Sequence, residues 1–192
     1  MNRAVFLDRD GTVNEEMGYI NHLSRFRIFD YTFDAIKIFN NLRFKVIIIT
    51  NQSGVARGYF DERLLGKVHK KLLEQAKENH AHIDKIYYCP HHKNGIVEKY
   101  KIDCECRKPK PGMLLRAQQE LNISLENSYL IGDRYKDIEF AYKNGIKSIL
   151  VKTGYGLGEY SFQREEWLHE PDFIKDNLLE AAYLIEDIET SR

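Results

Sequence analysis

Excess charge of either sign is missing from this sequence: Lys plus Arg and Asp plus Glu each number 29. There is therefore no bulk attraction to nucleic acid or to an anionic membrane, and any anionic ligand must be met by a local arrangement of charge. Long apolar runs are also lacking. No stretch approaches the roughly 20 apolar residues of a membrane span, and only Ala4 to Leu7 precede the first charged cluster, so a cytoplasmic, soluble protein is expected. Cysteine is scarce: the three, Cys89, Cys104 and Cys106, fall in one short window. An odd count argues against a secreted disulfide framework and favours metal binding. No internal repeat or low-complexity linker interrupts the chain, and the absence of a long heptad pattern predicts a monomer.

What is present is the balance of an ordinary folded protein, 43% hydrophobic and 30% charged over 192 residues. That length predicts one domain, 1–192, with a single core. Short β-branched runs alternate with segments of helical periodicity. Strands are expected at Ala4 to Leu7, Val46 to Ile49, Ile86 to Tyr88, Tyr129 to Ile131 and Ser148 to Val151. Helices are expected at Phe33 to Leu42, Glu62 to Glu78, Gly112 to Leu121, Ile138 to Lys143 and Leu178 to Ile188. The three glycines between Thr153 and Glu159 suggest a loop. The fold class is α/β, a Rossmann-like parallel sheet with helices on both faces. Ligands of such sheets bind beyond the carboxyl ends of the strands, which gathers Asp8, Asp10, Thr50 and Asp133 at one edge.

An AspXAsp pair is common on acidic surfaces, but Asp8 and Asp10 leave a buried-type strand just before Gly11 and Thr12, where the chain must turn tightly. Two carboxylates facing one site repel a phosphate unless a hard cation such as Mg²⁺ lies between them. Asp133 and Asp137, after the fourth strand, are candidates to complete the acidic set, with helix capping as their competing role. Phosphoryl transfer also needs donors and positive charge around the transferred oxygens. Thr50 supplies the donor at the second strand end. Arg107 and Lys108 supply the charge, on a turn stiffened by Pro109 and Pro111, where the competing reading is a solvated basic loop.

The most specific local signal is Cys89, Pro90, His91, then Cys104, Glu105, Cys106. Two soft ligands at each end of a loop match a closed tetrahedral Zn²⁺ site of Cys₃His type, which has no open position and is structural. His92 is a rival to His91. The other histidines, His22, His69, His80, His82 and His169, have no partner pattern and are expected at the surface.

Together, the segments Phe6 to Thr12, Ile48 to Gly58, Cys89 to His92, Cys104 to Met113 and Ile131 to Asp137 resemble the haloacid dehalogenase (HAD) superfamily. Within it they are similar to the zinc-containing D-glycero-D-manno-heptose 1,7-bisphosphate phosphatases and their histidinol-phosphatase relatives. The resemblance runs in order from about Val5 to Gly154. It implies a capless HAD fold with a zinc loop, 89–106, and a magnesium-dependent phosphatase. Asp8 would be the nucleophile, Asp10 the general acid and base, and Thr50 and Lys108 the holders of the phosphoryl group. Mg²⁺ would be bound by Asp8, the backbone carbonyl of Asp10, and Asp133, with Asp137 behind them. Zn²⁺ would be bound by Cys89, His91, Cys104 and Cys106. Substrate contacts would fall on Glu16, Gly18, Tyr19, Asn51, Gln52, Ser53, Arg107 and Arg134. Lys93 departs from the pattern, standing where a proline commonly follows the paired histidines. From Tyr155 onward no motif carries over.

The activity so implied is removal of the 7-phosphate of the heptose bisphosphate in surface-glycan precursor synthesis. Histidinol-phosphate hydrolysis is the near alternative. A polynucleotide-end phosphatase fits less well with a neutral chain. A non-catalytic zinc protein fits poorly with competent residues at Asp8, Asp10, Thr50 and Lys108.

Overall fold

In the computed structural model, which describes residues 1–191, a six-stranded parallel sheet is ordered β3-β2-β1-β4-β5-β6. Its strands are β1 (Ala4–Leu7), β2 (Lys45–Asn51), β3 (Lys85–Cys89), β4 (Tyr129–Gly132), β5 (Lys147–Val151) and β6 (Phe173–Lys175). The helices are α1 (Thr32–Asn41), α2 (Glu62–Glu78), α3 (Gly112–Leu121), α4 (Tyr135–Lys143), α5 (Gly156–Gln163) and α6 (Leu178–Thr190). The expected domain extends to Arg192, which lies outside the described residues.

The β1 sequence shows why the sheet is covered on both faces. All four of its residues are buried, as continuous apolar strands of parallel sheets are. Side chains alternate across the pleat, so Val5 and Leu7 join a core with α1, α2 and α6, through Phe39, Leu72 and Ile185. Ala4 and Phe6 join the opposite core, with Met113 and Leu114 of α3 and Phe140 of α4. Fully burying a side chain such as Phe6 or Ile48 contributes about 2 kcal/mol, so the two cores fix the sheet.

The chain enters at the centre of the sheet, builds outward to β3, and returns to place β4 on the other flank of β1. The Asp8 N–H completes that junction by donating to the Ile131 carbonyl at 2.9 Å. The carboxyl ends of β1 and β4 therefore flank the point where strand order reverses, where open α/β sheets bind ligands.

Two expectations for the C-terminal third are corrected. The loop expected over Thr153 to Glu159 becomes α5 from Gly156 onward. Helical glycines conceal the helical pattern, yet Gly156 is required because a Cβ there would stand 1.9 Å from the Val151 carbonyl oxygen. The short strand β6 has only half-buried residues and was not anticipated. No helix among the described residues is long and apolar enough to cross a membrane.

Candidate active site

The site is assembled from strand ends. Asp8 follows β1, Thr50 and Asn51 end β2, and Asp133 follows Gly132 of β4. Asp8, Thr50 and Asn51 border a cavity of about 300 Å³, and Asp133 is buried without being part of its lining. Asp8, Asp10, Thr50, Lys108 and Asp137 line it, as do Glu16, Gly18, Tyr19, Asn51, Gln52, Ser53, Arg107 and Arg134. Residues far apart in sequence thus share one pocket. Lys136, Tyr155 and Phe60 also line it without having been anticipated. Two isolated aromatics and a lysine give no local pattern from which to read such a placement.

At the pocket floor, Lys108 Nζ lies 2.8 Å from Asp8 Oδ1 and 2.7 Å from Asp137 Oδ1. All three side chains are nearly excluded from water. Burial pushes the Asp8 carboxyl up to about 7, with Lys108 opposing and Asp137 reinforcing the rise. Burial works against the charge of Lys108, but Asp137 and Asp8 outweigh it and hold its ammonium above the ordinary range. Asp133 is pushed up to about 9, first by burial and then by the charges of Asp8 and Asp137.

Three carboxylates thus face one ammonium, a deficit of positive charge that a divalent cation corrects. One oxygen each from Asp8, Asp133 and Asp137 lie within 4.8 Å of one another. Asp133 Oδ2 accepts the Tyr155 N–H at 2.9 Å, while Oδ1 is buried with no hydrogen-bond partner. An orphaned buried carboxylate oxygen costs several kcal/mol unless something binds it, and its hardness suits Mg²⁺. The backbone is closed tightly around this group. Gly11, at φ +83°, would put a Cβ 2.2 Å from Asp133 Oδ2, and Gly154, at φ +55°, would put one at 2.1 Å. Only glycine fits either position.

The Asp10 carboxylate stands apart from that trio. Its Oδ1 accepts Arg9 Nη2 at 2.9 Å and Asn14 Nδ2 at 3.0 Å, and its Oδ2 accepts Gln52 Nε2 at 2.8 Å. Arg9 is buried and its Nη1 is 3.1 Å from His69 Nε2. His69, expected at the surface, is therefore a buried partner of the site; burial and then Arg9 push its ring down to about 3, so it is neutral and accepts. Its place on the inner face of α2 was legible only from helical periodicity with Leu65, Val68 and Leu72.

Several expected substrate contacts also have protein partners. Gln52 Nε2 donates to Thr50 Oγ1 at 2.8 Å as well as to Asp10. Asn51 clamps the backbone of Lys108 in both directions: its Nδ2 donates to the Lys108 carbonyl at 3.0 Å and its Oδ1 accepts the Lys108 N–H at 3.1 Å. Glu16 Oε1 accepts the Gly18 N–H at 2.5 Å, shaping the rim. Burial, and next the charge of Asp10, raise the Glu16 carboxyl. The Tyr19 and Tyr59 rings meet above, with centroids 4.4 Å apart.

The second cluster lies just upstream of Arg107. Cys89 Sγ is 3.4 Å from Cys104 Sγ, Cys104 Sγ is 3.1 Å from Cys106 Sγ, and His91 Nδ1 is 3.4 Å from Cys106 Sγ. The four donor atoms lie within 4.8 Å of one another, a set that could hold a metal ion. Three thiols and an imidazole converging in this way suit tetrahedral Zn²⁺. His92 turns away: its Nε2 is 3.1 Å from Arg57 Nη2 and its Nδ1 accepts the Asn94 N–H. Arg107 Nη1 reaches the His91 carbonyl at 3.3 Å, tying this loop to the pocket wall.

Comparison with known proteins is consistent with this geometry. A HAD-hydrolase-like family model matches residues 105–181. The chain is 42% identical over 166 residues to the D-glycero-beta-D-manno-heptose-1,7-bisphosphate 7-phosphatase of Yersinia pestis, spanning 86% of this chain and 88% of the relative. It is 42% identical over 155 residues to the Haemophilus influenzae protein of the same name, spanning 80% and 84%. A solved structure of D,D-heptose 1,7-bisphosphate phosphatase from B. bronchiseptica, complexed with magnesium and phosphate, superposes with a TM-score of 0.85 at 28% identity, covering 97% of this chain and 99% of that one. With this fold, this pocket and these relatives, the chain belongs to the HAD-type heptose-1,7-bisphosphate 7-phosphatase family of phosphoric monoester hydrolases.

Proposed function

We propose that this protein is a magnesium-dependent phosphatase that removes the 7-phosphate of D-glycero-D-manno-heptose 1,7-bisphosphate, leaving the sugar 1-phosphate. The observation that carries the reading is the contact of buried Lys108 with Asp8 beside Asp133, at the switch point of the sheet. The relatives' substrate supports the heptose reading over histidinol phosphate.

In this reading Asp8 Oδ attacks phosphorus, and the bond between phosphorus and the sugar oxygen breaks. Asp10 gives the leaving oxygen its proton, then takes a proton from the water that cleaves the aspartyl-phosphate. Inorganic phosphate leaves and Asp8 is restored. Thr50 and Lys108 meet the transferred phosphoryl oxygens, which gather charge in the transition state. Arg9, held by His69, orients the Asp10 carboxylate. Asp8, Asp133 and the Asp10 backbone carbonyl would hold Mg²⁺, with Asp137 steadying Lys108 behind them. When bound, Mg²⁺ neutralises phosphoryl charge and screens the nucleophile from the anion it attacks.

Cys89, His91, Cys104 and Cys106 would hold structural Zn²⁺, fixing the loop from which Arg107 and Lys108 emerge. Glu16 to Tyr19, Asn51 to Ser53, Arg107 and Arg134 form the sugar and second-phosphate side of the pocket. The chain acts as one catalytic domain and as a monomer on a small phosphorylated sugar, without nucleic acid, in keeping with its neutral charge. Its unpaired thiols suit the cytoplasm. Phosphorus NMR of the products tests the assignment: loss of the 7-phosphate signal with retention of the anomeric phosphate is expected, and faster turnover of histidinol phosphate would contradict it.

A further inference from the structure

No sequence motif is read from Tyr155 onward, yet this stretch places one buried acid against the pocket. Glu159 of α5 is 8% exposed. Its Oε1 accepts the Arg134 Nε–H at 2.9 Å and lies 2.9 Å from Arg134 Nη2 in an ion pair, and its Oε2 accepts the Tyr135 N–H at 2.6 Å. Arg134 is the N-cap residue of α4 but supplies no side-chain cap, so the Glu159 carboxylate stands where that helix's free N–H groups favour negative charge. The Arg134 guanidinium also lies over the Tyr155 ring, 4.3 Å from its centroid. One edge of Arg134 is thus fixed by Glu159 and one face by Tyr155. The pair with Glu159 engages the Nε and Nη2 side of the guanidinium, and its Nη1 end has no hydrogen-bond or ion-pair partner among the described residues. Arg134 and Tyr155 both line the cavity that contains Asp8. Glu159 is the only ion-pair partner of Arg134 among the described residues.

We propose that Glu159 is a positioning residue for substrate selection, holding Arg134 so that its free guanidinium end meets the non-reacting phosphate of a sugar bisphosphate. A cation that swings freely loses side-chain entropy on every binding event, whereas one held on two sides has lost it already. Glu159 never touches the substrate; it acts through Arg134. This inference rests on reading the pocket as a bisphosphate site.

The test compares the heptose 1,7-bisphosphate with p-nitrophenyl phosphate, which has no second phosphate, and reports the ratio of the two kcat/KM values. Glu159→Gln is expected to lower that ratio about tenfold, the scale of one lost charge-assisted pair, through KM for the bisphosphate. In an Arg134→Ala background the same change is expected to lower it no further, because the cation it positions is gone. An unchanged ratio in Glu159→Gln, with both substrates affected equally, would show that Glu159 only caps α4 and would overturn the proposal. So would additive losses in the double variant. Should Glu159→Gln not fold, Arg134→Ala alone decides: the ratio falls about tenfold, or the proposal is wrong. A wild-type protein with no preference for the bisphosphate would overturn both this inference and the functional reading beneath it.

Discussion

Lys108 and Asp8, one hundred positions apart in sequence, meet at 2.8 Å in the pocket floor. The same ammonium reaches Asp137 at 2.7 Å, so one cation serves the buried Asp137 and the partly buried Asp8. Removing it leaves both acids without their partner and strips the phosphoryl site of a positive charge. Lys108→Ala is expected to lower kcat by roughly 10²- to 10³-fold, as loss of one transition-state donor does elsewhere. Stability of the metal-free protein is expected to fall by about 3 kcal/mol, read by urea unfolding. Wild-type kcat in this variant would remove Lys108 from the mechanism.

The second cluster predicts a metal-dependent fold. Chelation of Zn²⁺, or Cys106→Ser, is expected to lower the melting temperature and to reduce activity together, because Arg107 and Lys108 follow the last thiol directly in the chain. Calorimetry with and without chelator measures the first effect. Identical melting curves would argue against a structural site.

Gly11 gives a steric prediction. A methyl group there would meet Asp133 Oδ2 at 2.2 Å while the backbone stays at φ +83°. Gly11→Ala is expected to destabilise the protein by about 1 kcal/mol or more and to weaken Mg²⁺ activation, since Asp133 must shift. A magnesium titration of activity checks it; unchanged half-activation would show that the carboxylate has room to move.

His69 gives a pH dependence with a definite sign. Burial, then Arg9, hold its folded pKa at about 3, below the ordinary 6.5. Below pH 6.5 the unfolded chain binds a proton that the folded chain refuses, so stability falls as pH drops from about 6.5 toward 3. The slope from this one group approaches 1.4 kcal/mol per pH unit. His69→Gln, which keeps an acceptor for Arg9 but does not titrate, is expected to flatten the pH dependence of unfolding in that window. An unaltered profile would mean that His69 is not buried neutral.

Much of this architecture was legible because local signals agreed with the global fold. The β1 run ends at Asp8 and the β2 run at Thr50 and Asn51, and strand ends of a parallel sheet are where ligands lie. The spacing of Cys89 and His91 against Cys104 and Cys106 was enough to bring the four together. What could not be read depends on contacts distant in sequence. Choosing His91 over His92 from the residues alone needed the direction of each ring, which the contact with Arg57 sets for His92. Gly156 and Gly158 disguised α5, and with it Glu159, because glycine lowers helix propensity where packing against Val151 demands it. His69 looked like one more polar residue on a charged helix until Arg9 was seen buried beneath it.

The central claim, that Asp8 is the nucleophile of a heptose bisphosphate 7-phosphatase, is tested most directly by phosphate release from D-glycero-D-manno-heptose 1,7-bisphosphate by wild type and Asp8→Asn. The wild type is expected to release one phosphate per sugar, from C7, and the folded variant to lose at least about 10⁴-fold in kcat. Turnover near the wild-type rate in Asp8→Asn, or release from C1, would contradict the account.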